Sequence, residues 1–431
     1  MTIEGQAFQE NLLQEIDSRQ EELLELACRL IEFPNVSPPG RNSAKAQEFV
    51  EDYMLKLGCS LDRWEAFPGD PNLIALMPGA KPEEYQSLIL NAHIDVAEVG
   101  DSSSWSFDPF TPFLREGRLW GRGASDMKTA LAAFMFAMKL IKEKNSQLMG
   151  NLILHSVTGE EAGEGITFQA AERGPAGDFA IAGDISDFKL QYGQGGVITG
   201  WITVQSPQTY HDGLRSKMLH AGGGLFAASV IEKMVKIVQG LQELERHWAV
   251  TKVYPGFPPG SNTINPAVIE GGRHAAFVAD KCALWITVHF YPNEDYETVA
   301  KEIEEHILNV AKADPWLKEN PPQFRWGGKS MLEDRGEIFP SLELDTNHPA
   351  LKMLEELHTR IAGKVPEVDM CPTVTDAGWL AKAGIPTVLY GPGELGWAHS
   401  VDENIMVKDL VDYTKVIISF ICRWCNTPRS K

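Results

Sequence analysis

The run Asn151-Leu152-Ile153-Leu154-His155-Ser156-Val157 reads as a buried strand, and it ends in two adjacent carboxylates, Thr158-Gly159-Glu160-Glu161. This is the tightest constraint in the chain. Carboxylates at the mouth of a buried strand must be paired, hydrogen-bonded or bound to a metal, because bare burial of an ion costs several kcal/mol. One of the two can ligate a metal while its neighbour, pointing elsewhere, handles protons. Upstream stand His93-Ile94-Asp95 and Asp126, and downstream Asp184 and His399. Together these are the components of a metal-activated water.

The pattern around this strand sets the fold class. Residues 8–31, 44–58 and 127–143 carry helical periodicity, whereas 73–77 and 87–91 read as short strands, the second leading to His93 and Asp95. Alternating strand and helix signals predict an α/β domain around a central, mostly parallel sheet. Ligands of such sheets gather at the C-terminal ends of strands, where His93, Glu160 and Asp184 fall. The character changes near Gly193-Gln194-Gly195-Gly196: strand signals at 200–205, 263–269 and 282–290 mix with helices at 224–240 and 294–312. That segment reads as an α+β insertion. The α/β pattern resumes after Pro340 with helices at 349–362 and 408–424 and a strand at 386–390. The expected division is 1–193, 194–339 and 340–431, the first and last forming one split domain.

At 431 residues the chain exceeds one ordinary core, so two domains are the default. No apolar run approaches the roughly 20 residues that span a bilayer. The N-terminal 20 residues are polar and acidic and lack the pattern of a signal peptide, so a cytoplasmic location is expected. A formal net charge of −20 disfavours nucleic acid and anionic membranes as partners but does not identify a substrate, which is expected to be a small molecule. The six cysteines are scattered and form no disulfide framework, and Cys422-Arg423-Trp424-Cys425 reads as a pair of ordinary thiols.

Each candidate is ordinary alone. His93 could be a satisfied core histidine, Asp126 a helix N-cap, and Glu161 a solvated loop residue. Together they fit one design. Two zinc ions each take about four N or O ligands with a position left for water. A shared carboxylate plus a terminal histidine and carboxylate per ion supplies that count, and an unligated glutamate takes the proton. The chemistry is amide hydrolysis near neutral pH.

These residues resemble the zinc aminoacylase/carboxypeptidase family, which includes acetylornithine deacetylase, succinyl-diaminopimelate desuccinylase, aminoacylase and several di- and exopeptidases. The resemblance rests on His93-Ile94-Asp95, on Trp105 through Asp108-Pro109-Phe110 to Gly121-Arg122-Gly123-Ala124-Ser125-Asp126-Met127-Lys128, and on Thr158-Gly159-Glu160-Glu161. Gly183-Asp184, Thr375-Asp376-Ala377-Gly378 and Ala398-His399-Ser400-Val401-Asp402-Glu403-Asn404 follow in order. It implies that His93 and Asp184 hold one zinc, that Glu161 and His399 hold the other, and that Asp126 bridges them; cobalt or manganese are alternatives to zinc. It implies Asp95 as the residue orienting His93 and Glu160 as general base and proton donor. The insertion becomes a lid and dimerisation domain, and the protein a homodimer. The histidine that polarises the scissile carbonyl maps onto His211, with His220 as its rival.

Departures from the family pattern narrow the substrate. His289 stands in Thr287-Val288-His289-Phe290 where an arginine for the substrate carboxylate is expected, and no arginine stands beside Gln194-Gly195-Gly196. Neither replacement keeps a bidentate fork, so a succinylated substrate is disfavoured. Asp184 departs from the glutamate common in the family's deacylases. The substrate-binding set is then His289, Asn404 and Arg273, with Arg215 a further choice for a carboxylate. The first reading is an acetylornithine deacetylase-like zinc amidohydrolase. The alternatives are an N-formyl aminopyrimidine deformylase of thiamine salvage, a dipeptidase or aminopeptidase, and a non-catalytic metal-binding protein.

Overall fold

The computed structural model describes residues 3–144, 147–213 and 228–429. The chain divides into two compact units, Met1–Gln194 with Leu342–Lys431, and Gly195–Ser341.

The first unit is built on a nine-stranded mixed sheet. Its centre is parallel: Leu88–His93 runs between Leu152–Val157 and Phe179–Ala182, and Thr387–Leu389 continues beside the last. The flanks include antiparallel pairs, with Ser60–Phe67 on Asp70–Met77 at one side and Leu342–Glu343 on Leu190–Gln194 at the other. The parallel strands are apolar at nearly every position because both faces are covered. Leu88, Leu90, Leu152, Leu154, Phe179 and Ile181 enter the larger core, whereas Ile89, Ile153, Val157, Ala180 and Ala182 enter a second core on the opposite face. Helices Gln20–Ile31, Lys128–Glu143, Pro349–Ala362 and Val407–Trp424 contribute to the larger core; Ile166–Arg173 and Ala377–Lys382 contribute to the smaller.

The helices follow from composition and capping. Lys128–Glu143 is dominated by Ala, Leu, Met and Phe, strong formers among them, and is buried along almost its whole length. Pro349–Ala362 starts with proline at its first position and stops at Gly363, whose φ of 72° is left-handed.

The second unit is a five-stranded sheet in which Lys281–Phe290 pairs antiparallel with Thr263–Gly271 and Gly196–Gln205. Ile198, Ile202 and Val204 join Leu284, Ile286 and Val288 in a core with helices Val230–Thr251 and Tyr296–Lys312. The alternate residues Trp201 and Trp285 stack on the other face, 5.8 Å apart. This is the α+β insertion expected from the sequence.

Candidate active site

Three parallel strands end at one place. His93 closes Leu88–His93, opposite Val157 in the neighbouring strand. From Val157 the chain turns through Thr158-Gly159 into Glu160 and Glu161; Asp184 follows Phe179–Ala182 by two residues. Gly159 has φ 79°, and a Cβ there would run into the Glu164 carboxyl, so this turn requires glycine. Asp126 precedes helix Lys128–Glu143, across a cis Asp126–Met127 peptide bond. His399 arrives on the loop before Asn404–Met406, in left-handed conformation with φ 56°, a region that non-glycine residues occupy mostly where the surroundings hold them.

The ligand atoms converge as two triads that share Asp126. His93, Asp126 and Asp184 form one, and Asp126, Glu161 and His399 the other; in each, the donor atoms lie within 4.8 Å of one another. The two Asp126 oxygens face different histidines: Oδ1 is 3.1 Å from His93 Nε2 and Oδ2 is 3.1 Å from His399 Nε2. His399 Nε2 is also 3.0 Å from Glu161 Oε2, and Asp184 Oδ2 is 3.9 Å from His93 Nε2. Glu160 Oε2 lies 3.9 Å from His93 Nε2 and contacts neither triad more closely. Asp95 joins both sides: its carbonyl oxygen is 3.0 Å from His93 Nδ1, and its Oδ2 accepts the Glu161 N–H at 3.2 Å. Asp184 Oδ1 accepts the Ile185 N–H at 2.7 Å, which leaves Oδ2 for the site.

Five carboxyl groups (Asp95, Asp126, Glu160, Glu161 and Asp184) thus crowd around two imidazoles. Burial, reinforced by the Asp126 charge, pushes the Glu161 carboxyl up to about 7. Burial likewise pushes Glu160 and Asp184 well above the carboxylate range, against the pull of His93. For Asp126 burial is outweighed by His399 and His93, and its carboxyl is held below its usual value. Burial would lower His93, yet contacts with Asp126 and Asp95 hold it well above normal. Asp126 and Glu161 raise His399 to about 11, although its half-exposed ring lets water screen part of that attraction. Glu161 Oε1 and Asp95 Oδ1 are buried with no hydrogen-bond partner. Excess buried negative charge, orphaned oxygens and an N/O donor set all fit divalent cations.

Several supporting residues had no role in the sequence reading. Glu403 lies fully buried behind the Asp126 loop and accepts from Arg122 Nη1 at 2.7 Å. Lys128 is buried and donates to Phe33 O and Asn35 Oδ1 at 2.7 and 2.6 Å. Arg41 donates to Glu164 Oε1 at 2.5 Å and bounds the Glu160 turn. Asp376 accepts from Thr167 at 2.6 Å, and Thr167 accepts from Asn91 at 3.0 Å. The available signal was a charged residue in an otherwise small or apolar stretch, as in Gly121-Arg122-Gly123, because buried charges need partners.

The remaining candidates are not members of the two triads. Asn404 is buried, bonding Arg118 through Oδ1 and the Asp402 carbonyl through Nδ2 at 2.9 Å. Its side chain is therefore a brace for Arg118. His211, His289 and Arg273 belong to the second unit. His211 pairs in register with Phe277, and its Nδ1 accepts the Gly213 N–H at 3.0 Å. His289 is exposed near the end of Lys281–Phe290. Arg273 is engaged with Asp280 at 3.2 Å over the Phe277 ring. His220 and Arg215 lie outside the described residues.

The family model "Peptidase family M20/M25/M40" matches residues 89–423. The chain belongs to this family. Two bacterial relatives each bear the name N-formyl-4-amino-5-aminomethyl-2-methylpyrimidine deformylase. The one from Halalkalibacterium halodurans is 55% identical over 97% of this chain and 97% of its own length. The one from Bacillus subtilis is 53% identical over 98% of this chain and 99% of its own. Among solved structures, the M20 family metallo-carboxypeptidase Sso-CP2 from Sulfolobus solfataricus superposes with a TM-score of 0.70 at 19% identity, covering 94% of this chain and 99% of that one. As an M20 member with near full-length deformylase relatives, the chain is a metal-dependent hydrolase of linear amide bonds. Among the described residues, no helix is long and apolar enough to cross a membrane.

Proposed function

We propose that this protein hydrolyses an N-formyl aminomethylpyrimidine, adding water across the formamide to release formate and the primary amine. The observation that carries this reading is its 55% and 53% identity, over nearly the whole chain, to two deformylases of that name. The substrate they are named for has no carboxylate, which accords with His289 in place of an arginine and with Arg273 already paired to Asp280. The acetylornithine-type reading requires a free cation for the substrate carboxylate, and that requirement places it second.

His93, Asp126 and Asp184 would hold one zinc, and Asp126, Glu161 and His399 a second; cobalt or manganese suit the same donors. When bound, the pair supplies a water of lowered pKa and polarises the carbonyl. Glu160 takes the water's proton and passes it to the leaving amine nitrogen. Asp95 fixes the orientation of His93 and anchors the Glu161 backbone. His211 is the carbonyl-polarising group, its ring held through Nδ1 by the Gly213 N–H at 3.0 Å with Asp212 Oδ1 3.3 Å away.

Residues 194–339 would serve as lid and dimerisation domain. The homodimer reading is supported by exposed Ile231 and Val235 on one helix and Ile269 on the edge strand Thr263–Gly271. A cytoplasmic site of action accords with six free cysteines. The test is release of a primary amine from the formylaminopyrimidine, N-acetylornithine, succinyl-diaminopimelate and simple dipeptides by the zinc-loaded enzyme, with formate measured for the first. Preference for the formylaminopyrimidine is expected; faster cleavage of an acyl-amino acid or dipeptide, assayed by amine release, overturns the assignment.

A further inference from the structure

One carboxylate outside the ligand set, on the loop that carries His399, binds the loop that carries Asp126. Glu403 Oε2 accepts from Arg122 Nη1 at 2.7 Å and from the Gly123 N–H at 3.1 Å. Its Oε1 accepts the Ser125 N–H at 2.7 Å and the Asp126 N–H at 3.0 Å. Ser125 Oγ then donates to Asn404 O at 2.9 Å, closing the loop onto the residue after Glu403. Arg122 carries the connection to the other ligand: its Nη2 donates to Glu98 O at 2.9 Å and to His399 O at 3.4 Å. On the far side, Asp402 holds Ser106 through N and Oγ at 2.8 and 2.7 Å.

We propose that Glu403, acting with Arg122, is the positioning residue of the second metal site, holding the backbones of Asp126 and His399 in ligating geometry before an ion arrives. The inference rests on the two-ion ligand assignment. The donors explain why the residue is a carboxylate. Three converging N–H groups and a guanidinium need two oxygens, and an amide offers only one. The left-handed backbone of His399 explains why bracing is needed, since a non-glycine residue there relaxes once its surroundings release it. Outer partners of this kind are worth about 10- to 100-fold in metal affinity.

The test titrates zinc into the demetallated full-length chain in competition with a chelator, reading the two affinities without substrate. Glu403→Gln is expected to weaken one of the two affinities at least about tenfold, with a smaller effect on the other, whose site shares Asp126. Should that variant fail to fold, Arg122→Lys keeps the charge but loses the fork, and the same selective weakening is expected. Asp314→Asn is the control for general destabilisation, because Asp314 is equally buried and accepts from Lys233 and two backbone N–H groups within the second unit. Its two affinities should stay at the wild-type values. Wild-type uptake of two ions with both site variants unchanged overturns the inference alone. Wild-type uptake of fewer than two overturns the ligand assignment, and the inference with it.

Discussion

The roles proposed for Glu160 and His399 differ, and single substitutions separate them. Glu160→Gln is expected to retain both ions and lose about 10²- to 10⁴-fold in turnover, the usual value of a general acid–base group. Metal analysis beside the rate measurement checks this, and a near-wild-type rate removes the assignment. His399→Ala should lower the metal content, because the second triad then keeps only two carboxylates; unchanged stoichiometry removes His399 from the ligand set. His155 supplies a test unconnected with the chemistry. It is fully buried, neither ring nitrogen has a partner, and burial pushes it down to about 3. The unfolded chain binds a proton near pH 6.5 that the folded chain refuses, so stability is full above that pH and falls as pH drops toward 3. Between pH 6.5 and 5 the loss is about 2 kcal/mol. Urea unfolding of His155→Leu should show a correspondingly flatter acid limb. Residues like Glu160 and His399 were legible in the sequence because chemistry-bearing side chains stood where strands or family motifs end. The role of Glu403 is not legible in its motif, because three of its four donors are backbone N–H groups of another loop. Sequence pattern does not record such partners.

Among the elements, the turn between Leu152–Val157 and Ile166–Arg173 has little freedom. Gly159→Ala combines a left-handed φ with a collision against Glu164 and so displaces the residues that carry Glu160 and Glu161. Loss of metal and activity together is expected, with Gly384→Ala, where a Cβ meets nothing within 4 Å, as the comparison at a similar φ. Long helices were readable because their apolar faces are wide: 349–362 was read at the observed bounds, and 408–424 begins one residue late. The pattern over 8–31 is two helices, Ile3–Ser18 and Gln20–Ile31, broken at Arg19; both bury residues against one core, so periodicity runs on across the break. The edge strand Ser60–Phe67 went unread, since every residue in it is at least partly exposed and Asp62, Arg63 and Glu65 mask its alternation. Strand direction was legible only through helical crossovers. The parallel centre was therefore expected, whereas the antiparallel flanking pairs, one of them joined by a tight turn at Gly69, were not.

Considered whole, the molecule gathers five buried carboxyl groups at one point of its first unit, and on the proposed ligand assignment occupancy should govern its stability. Removing the ions with a chelator is expected to lower Tm, and zinc should restore it. A ligand at 100 times its Kd contributes about 2.7 kcal/mol per site. Scanning calorimetry with and without chelator measures this, and an unchanged Tm counts against resident metal. The ligands also have an order along the chain. His93, Asp126, Glu161 and Asp184 all precede residue 195, whereas His399 and Glu403 follow residue 341. A nascent polypeptide that has finished the insertion but not the last segment carries four of the five proposed metal-binding side chains, with neither the fifth nor its proposed brace. Synthesis therefore sets a checkpoint: full occupancy is reached only when the end of the chain has left the ribosome and docked. On that assignment metal uptake reports completed assembly, and a product truncated before His399 is expected to lack hydrolytic activity.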